Sequence, residues 1–180
     1  FLRFITQSYV EQDLNFSVWM IIFVIINLVQ ILIIINERRK RYIEPKIFDI
    51  YESVFSSLST FEFLTFWKMG AIRNVQNGKA IIEKDKKLNS IILLINGKVS
   101  VRSSGKLIAY LPRGSFIGEI SYITKKGASA DVISEGDATY IEWNNKQLKN
   151  IQLNKKIFWT KIQNILLNDL IIKLKRSSVD

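Results

Sequence analysis

The sequence predicts an α+β protein: an apolar N-terminal helix able to cross a membrane, followed by an antiparallel β-roll flanked by helices. Three observations carry this reading. Residues Phe16 to Ile35 are twenty positions without a charge, closed by Glu37-Arg38-Arg39-Lys40-Arg41. Between Ala71 and Asn144, short apolar runs alternate with turn residues. On both sides of that stretch, apolar residues recur instead at helical spacing.

At about 1.5 Å per residue, a helix over 16–35 reaches roughly 30 Å, the thickness of the hydrocarbon layer, where a helix satisfies its own backbone. Core helices of globular proteins average about 11 to 12 residues and keep a polar face. Signal peptides carry their charges ahead of a shorter apolar run. Neither pattern describes this segment. Four basic residues follow it, whereas Arg3 is offset by Glu11 and Asp13 before it. The preference of Lys and Arg for the cytoplasmic side therefore places everything after Arg41 there. The expectation is an integral membrane protein, with a membrane segment over residues 1–41 and a soluble domain over 45–176 on the cytoplasmic side. The lipid bilayer is its first partner. The basic cluster adds about 1 kcal/mol per residue against an anionic leaflet. Asn27 and Gln30 share one helical face and are costly against lipid, which points to contact with another helix, from a second copy or from further spans. The chain opens on Phe1 rather than Met, in keeping with earlier spans.

Roughly 135 residues remain after the anchor, enough for one domain with a proper core. The chain has no cysteine and no histidine. Disulfides, thiolate chemistry, the usual zinc site and the usual general base are thereby excluded. No catalytic residue, no metal and no cofactor is expected, and the chain does not read as an enzyme. A net charge of +10 raises the question of nucleic acid, but the lysines are scattered among Ile and Asn rather than gathered. No nucleic-acid partner is expected.

Along the soluble part, Pro45 stands at a first helical position, and Ile47, Phe48, Tyr51, Val54, Phe55 and Leu58 follow at helical spacing. Ser59-Thr60-Phe61-Glu62 fits a capping box that opens a second helix, ended by Gly70. This helical pair covers about 45–69. From 71 to 144 the turn signals are Asn77-Gly78, Asn96-Gly97, Ser104-Gly105, Pro112-Arg113-Gly114, Lys126-Gly127 and Glu135-Gly136-Asp137. Between them, Ile91–Ile95 reads as a buried strand and 98–102 and 106–111 as alternating strands, with further strands at 131–134 and 139–143. Asn96-Gly97 favours a tight hairpin because both residues accept positive φ. A sandwich, barrel or roll buries such faces. The aromatics Trp67, Tyr110, Phe116, Tyr122 and Trp143 read as core. Over about 145–176 the helical pattern returns, ending in Lys173, Lys175 and Arg176, cations suited to a helix C-terminus. This run leaves no room for a helix-turn-helix module. Its apolar surface from Ile157 to Leu174 favours a homo-oligomer, held through the membrane and C-terminal helices.

One constellation carries functional chemistry. Pro112-Arg113-Gly114-Ser115-Phe116-Ile117-Gly118-Glu119-Ile120 is followed by Ala128-Ser129-Ala130-Asp131-Val132. Gly118 allows close backbone approach, and a short helix from Glu119 supplies amide donors for an anion. Glu119 offers a carboxylate acceptor beside them. With Leu93-Leu94-Ile95-Asn96-Gly97-Lys98-Val99 ahead of it, this segment resembles the phosphate-binding cassette of the cyclic nucleotide-binding domain. The resemblance implies a ligand such as cyclic AMP, with Glu119 on the ribose 2′-hydroxyl, backbone donors from Gly118 and Ile120, and contacts from Ser129 and Ala130. Where nucleotide-binding members carry an Arg before the Ser/Thr-Ala pair, this chain has Ala128. Losing a bidentate clamp on phosphate costs about 2 to 5 kcal/mol. Lys125 and Lys126 are the cations closest in sequence to lend charge.

A narrower resemblance uses the anchor as well. Ile26-Asn27-Leu28-Val29-Gln30, Glu37-Arg38-Arg39 and Tyr51-Glu52-Ser53-Val54-Phe55-Ser56-Ser57-Leu58 ahead of the roll are similar to bacterial relatives of the Popeye-domain family. That implies several membrane spans, a cytosolic cyclic-nucleotide-type domain, and association through membrane and domain helices. The Asp-Ser-Pro-Glu and Phe-Gln-Val-Thr motifs of animal members are absent from this sequence.

Overall fold

Strand β3 (Ser90–Asn96) shows why the middle of the chain folds as it does. Its run Ile91-Ile92-Leu93-Leu94 is apolar at every position because both faces are covered. Ile91 and Leu93 join one core with the helices, whereas Ile92 and Leu94 join a second core between two sheets. The computed structural model describes residues 2–38 and 42–177. The chain divides into two units, Phe1–Lys40 and Arg41–Asp180.

The first unit is a single helix, α1 (Leu2–Arg38). Within it, Phe16–Ile35 is long and apolar enough to cross a membrane, with a mean hydropathy of 2.9, and none of that run is buried in the protein. The Asn27 amide donates to Phe23 O at 2.7 Å, so this polar side chain of the run is partly satisfied by its own helix. Arg39, Lys40 and Arg41 of the basic cluster lie outside the described residues.

The second unit begins with α2 (Pro45–Val54), which has Pro at its first turn, and α3 (Thr60–Met69). The capping box at α3 is present in full: Ser59 Oγ accepts from Glu62 N, and Glu62 Oε2 accepts from Ser59 N at 2.8 Å. The strands follow as β1 (Ala71–Val75), β2 (Ala80–Ile82), β3, β4 (Val99–Ser103), β5 (Lys106–Leu111) and β6 (Phe116–Ile117). After them come α4 (Glu119–Thr124), β7 (Asp131–Ser134), β8 (Ala138–Asn144), α5 (Asn145–Asn154) and α6 (Lys156–Ser177). Two four-stranded antiparallel sheets result, ordered β1-β8-β3-β6 and β2-β7-β4-β5. The helix-facing core centres on Trp143, which stacks on Phe66 at 4.3 Å and donates its Nε1–H to Phe66 O at 2.7 Å. Around it pack Phe55, Phe63 and Phe116, all fully buried.

The structure corrects three expectations. Asn96-Gly97 makes no hairpin, because β3 and β4 belong to different sheets. The positive φ of Gly97 serves a corner between sheets instead, where a Cβ would lie 2.7 Å from that of Ala138. The tight hairpin is β4–β5, where Ser104 and Gly105 take φ of 50° and 77°. Second, β5 has no buried face, although its sequence alternates. It is an edge strand with Lys106 to Tyr110 all exposed, so Tyr110 is not core. Third, Lys173 points back into the roll, as the site geometry below shows, rather than serving the helix end.

Candidate functional site

The cassette is built where β6 ends. Gly118 sits in the left-handed region (φ 79°, ψ 13°) and caps α4, whose Tyr122 N donates to Gly118 O at 3.1 Å. A Cβ on Gly118 would come within 2.4 Å of Leu88 Cδ2 and 2.7 Å of Ile82 Cδ1. The conformation therefore calls for glycine here, and a Cβ would in addition have to displace the ends of two flexible side chains. The turn swings Glu119 inward, leaving it 3 % exposed, while the next side chain, Ile120, faces out.

The second limb is clamped to the loop after β2. Ala128 N donates to Lys86 O and Asp85 N to Ala128 O, at 3.0 and 2.8 Å. Ser121 Oγ donates to Lys126 O at 2.6 Å and accepts from Leu88 N at 3.3 Å, tying both limbs to the same loop. Ser129 is exposed and Ala130 buried. All five residues singled out from the sequence, Gly118, Glu119, Ile120, Ser129 and Ala130, line one cavity. That cavity measures about 120 Å³, whereas ligand pockets usually run to about 300–1,000 Å³.

The cation in this cavity comes from α6. Lys173 Nζ donates to Glu119 Oε1 at 2.8 Å and to Phe116 O at 2.6 Å, and lies 2.6 Å from Asp169 Oδ2. The Lys173 side chain retains only 21 % of its exposure. Burial pushes the Asp169 carboxyl above its usual range and nearby Glu119 adds to this, against the pull of Lys173. Two carboxylates and one ammonium leave this cluster with a formal charge of −1. Its remaining polar atoms accept hydrogen bonds, whereas a phosphate needs donors.

Ala128 is buried in the core between the sheets, so a methyl group packs where the resemblance calls for a guanidinium. Lys125 and Lys126 do not replace it. Lys125 Nζ stacks over the Tyr122 ring at 3.9 Å, beside a different cavity with Trp159 and Gln163, and Lys126 is exposed. Sequence spacing missed Lys173 because it lies 54 residues from Glu119. A signal was nonetheless present. Ile162, Leu166, Asp169 and Lys173 recur at helical spacing on the inward stripe of α6, and two charged residues on such a stripe call for a buried partner. Arg113 of the same segment also has a role that the sequence did not reveal. Its guanidinium binds both Asp49 oxygens at 2.8 and 2.9 Å, and the carbonyls of Lys46 and Ile95, fastening α2 to the roll.

Residues 72–154 match the family model described as the cyclic nucleotide-binding domain. The fold is that of a cyclic nucleotide-binding domain. Solved structures agree at the level of fold. A cyclic nucleotide-binding domain from Methylobacillus flagellatus superposes with a TM-score of 0.67 at 19 % identity, over 73 % of this chain and 78 % of that one. A protein from Geobacter metallireducens described as a cyclic nucleotide-binding protein gives 0.62 at 17 %, over 74 % and 99 %. The regulatory subunit of a cAMP-independent protein kinase A from Trypanosoma brucei gives 0.53 at 17 %, over 74 % and 45 %. No curated protein matches the sequence.

Proposed function

We propose that this chain is a membrane-tethered, non-catalytic sensor or scaffold. Its cyclic nucleotide-binding domain lies on the cytoplasmic side and has little affinity for cyclic nucleotides. The observation that carries the reading is the cassette: Glu119 is already paired with Lys173, and the phosphate clamp is replaced by the buried methyl of Ala128. Support for the tether comes from the uncharged run 16–35 and the basic residues that follow it. Self-association through α1 and α6 is supported by Asn27 and Gln30 and by the outward residues of α6. Of these, Ile157, Leu167 and Ile171 are 80 %, 44 % and 48 % exposed. The likeness of anchor and helices to bacterial relatives of the Popeye-domain family fits the same architecture.

Calorimetric titration of the full chain in detergent with cyclic AMP and cyclic GMP tests the ligand clause. An Ala128→Arg variant supplies the internal standard. If the missing guanidinium limits affinity, the variant binds roughly 30-fold to several thousand-fold more tightly than the parent chain. Equal affinity in both overturns this account of the cassette. A purely structural module is the second reading, favoured by the cavity of only about 120 Å³. It predicts no heat from either protein at millimolar nucleotide.

A further inference from the structure

We infer that Lys173 is an internal ligand of the cassette, and that its withdrawal is the step that opens the site and releases the last turns of α6. The inference rests on the site proposed above and adds how that site is regulated. The ammonium is matched by three oxygens from three places: Glu119 at the start of α4, the Phe116 carbonyl in β6, and Asp169 one turn back on α6. With Lys173 Nζ 2.8 Å from Glu119 Oε1, the ammonium takes up part of the acceptor capacity that a ribose hydroxyl would use on this carboxylate. The internal ammonium and an entering sugar hydroxyl thus compete for the same carboxylate.

A second observation concerns how α6 is held. Phe158, Trp159, Ile162, Ile165 and Leu166 are buried and fix the first part of the helix in the core. From Leu167 to Lys175 no side chain is fully buried, and the inward ones, Asp169, Leu170 and Lys173, are intermediate. An apolar anchor therefore ends at Leu166, and beyond it the ionic cluster is the principal inward contact. Breaking that cluster frees the distal turns and leaves the proximal ones packed.

The test is amide hydrogen exchange of the full chain in detergent, without nucleotide, for the parent, Lys173→Ala and Asp169→Asn/Lys173→Gln. The double variant removes one cation and one carboxylate together, so the cluster keeps its formal charge of −1. It also guards against Lys173→Ala failing to fold with two buried carboxylates unpaired. Expected is exchange at least about tenfold faster over residues 167–175, with 158–166 unchanged. Unchanged exchange over 167–175 in the folded double variant overturns the inference. So does acceleration spread evenly along α6. Titration with cyclic AMP is the second arm, where the double variant is expected to bind about tenfold more tightly than the parent. Measurable binding that is equal or weaker in the double variant overturns the competition. Absence of binding in every variant defeats the nucleotide clause of the proposed function, and the exchange result then decides the latch by itself.

Discussion

Gly118 combines two demands that a single substitution separates. Its φ of 79° costs an L-residue about 1–2 kcal/mol. Its missing Cβ leaves room for Leu88 and Ile82, which would otherwise lie 2.4 and 2.7 Å away. Both contacts are with the far ends of flexible side chains, which can turn aside, so the crowding adds less than the turn does. Gly118→Ala is therefore expected to destabilise the domain by about 1–2 kcal/mol in urea unfolding followed by tryptophan fluorescence. Gly118→Asn relieves part of the backbone cost, because Asn tolerates the left-handed region, but none of the crowding. An Asn variant as stable as the parent would show that the contacts with Leu88 and Ile82 yield freely. In either case the requirement for glycine at this position is met by packing and turn geometry alone, which is why the Gly118-Glu119 pair does not by itself indicate nucleotide binding.

At the scale of elements, Glu62 joins α3 to α6. It completes the capping box with Ser59 and accepts from Lys161 Nζ at 2.8 and 2.9 Å. Burial by itself raises the pKa of Glu62, but the bonds from Lys161 and Ser59 outweigh it and hold the carboxyl below its ordinary range. The folded chain then binds this proton more weakly than the unfolded chain does. The resulting stability is fully present above the ordinary Glu range and is lost as pH falls through the lowered folded value. Glu62→Gln keeps an acceptor for Ser59 N and removes the ion pair. Its partly exposed setting limits the loss to about 1 kcal/mol near neutral pH. The gap between parent and variant should close as urea titrations move from pH 7 towards pH 3, and a gap independent of pH would contradict this assignment.

Features closed within a few residues were legible in the sequence for a physical reason: their partners are local. The Ser59 box, Pro45, and the Gly118-Glu119 turn opening α4 belong to this class. Strands β2 and β6 have three and two residues, too short for any periodicity to register. Asn96-Gly97 misled because positive φ serves a corner between sheets as well as a hairpin. The alternation of β5 misled because this edge strand is exposed from Lys106 to Tyr110, and only its last residue, Leu111, packs against the core between the sheets. The partners of Lys173 and Arg113, Glu119 and Asp49, were not legible because they lie 54 and 64 residues away. The stripe of α6 marks Lys173 as inward, but local pattern does not say what it meets there.

For the whole molecule, the decisive asymmetry lies in how charge is distributed around one apolar helix. Residues 16–35 carry no charge, and 25 of the 26 Lys and Arg residues follow them, starting with the cluster at 38–41. Basic residues directly after a span disfavour its translocation, and each one near an anionic leaflet gains about 1 kcal/mol. The chain expressed in bacteria is therefore expected to sediment with membranes through a high-salt wash, which screens surface charge but leaves apolar burial intact. Detergent should release it. In sealed inverted vesicles, trypsin should digest the roll, whose exposed β5 and loop lysines are accessible, whereas vesicles of native orientation should protect it. Recovery in the salt-wash supernatant would mean that α1 binds by surface charge or not at all. Protection in the inverted vesicles would place the domain on the opposite side, reversing the inference drawn from the basic cluster.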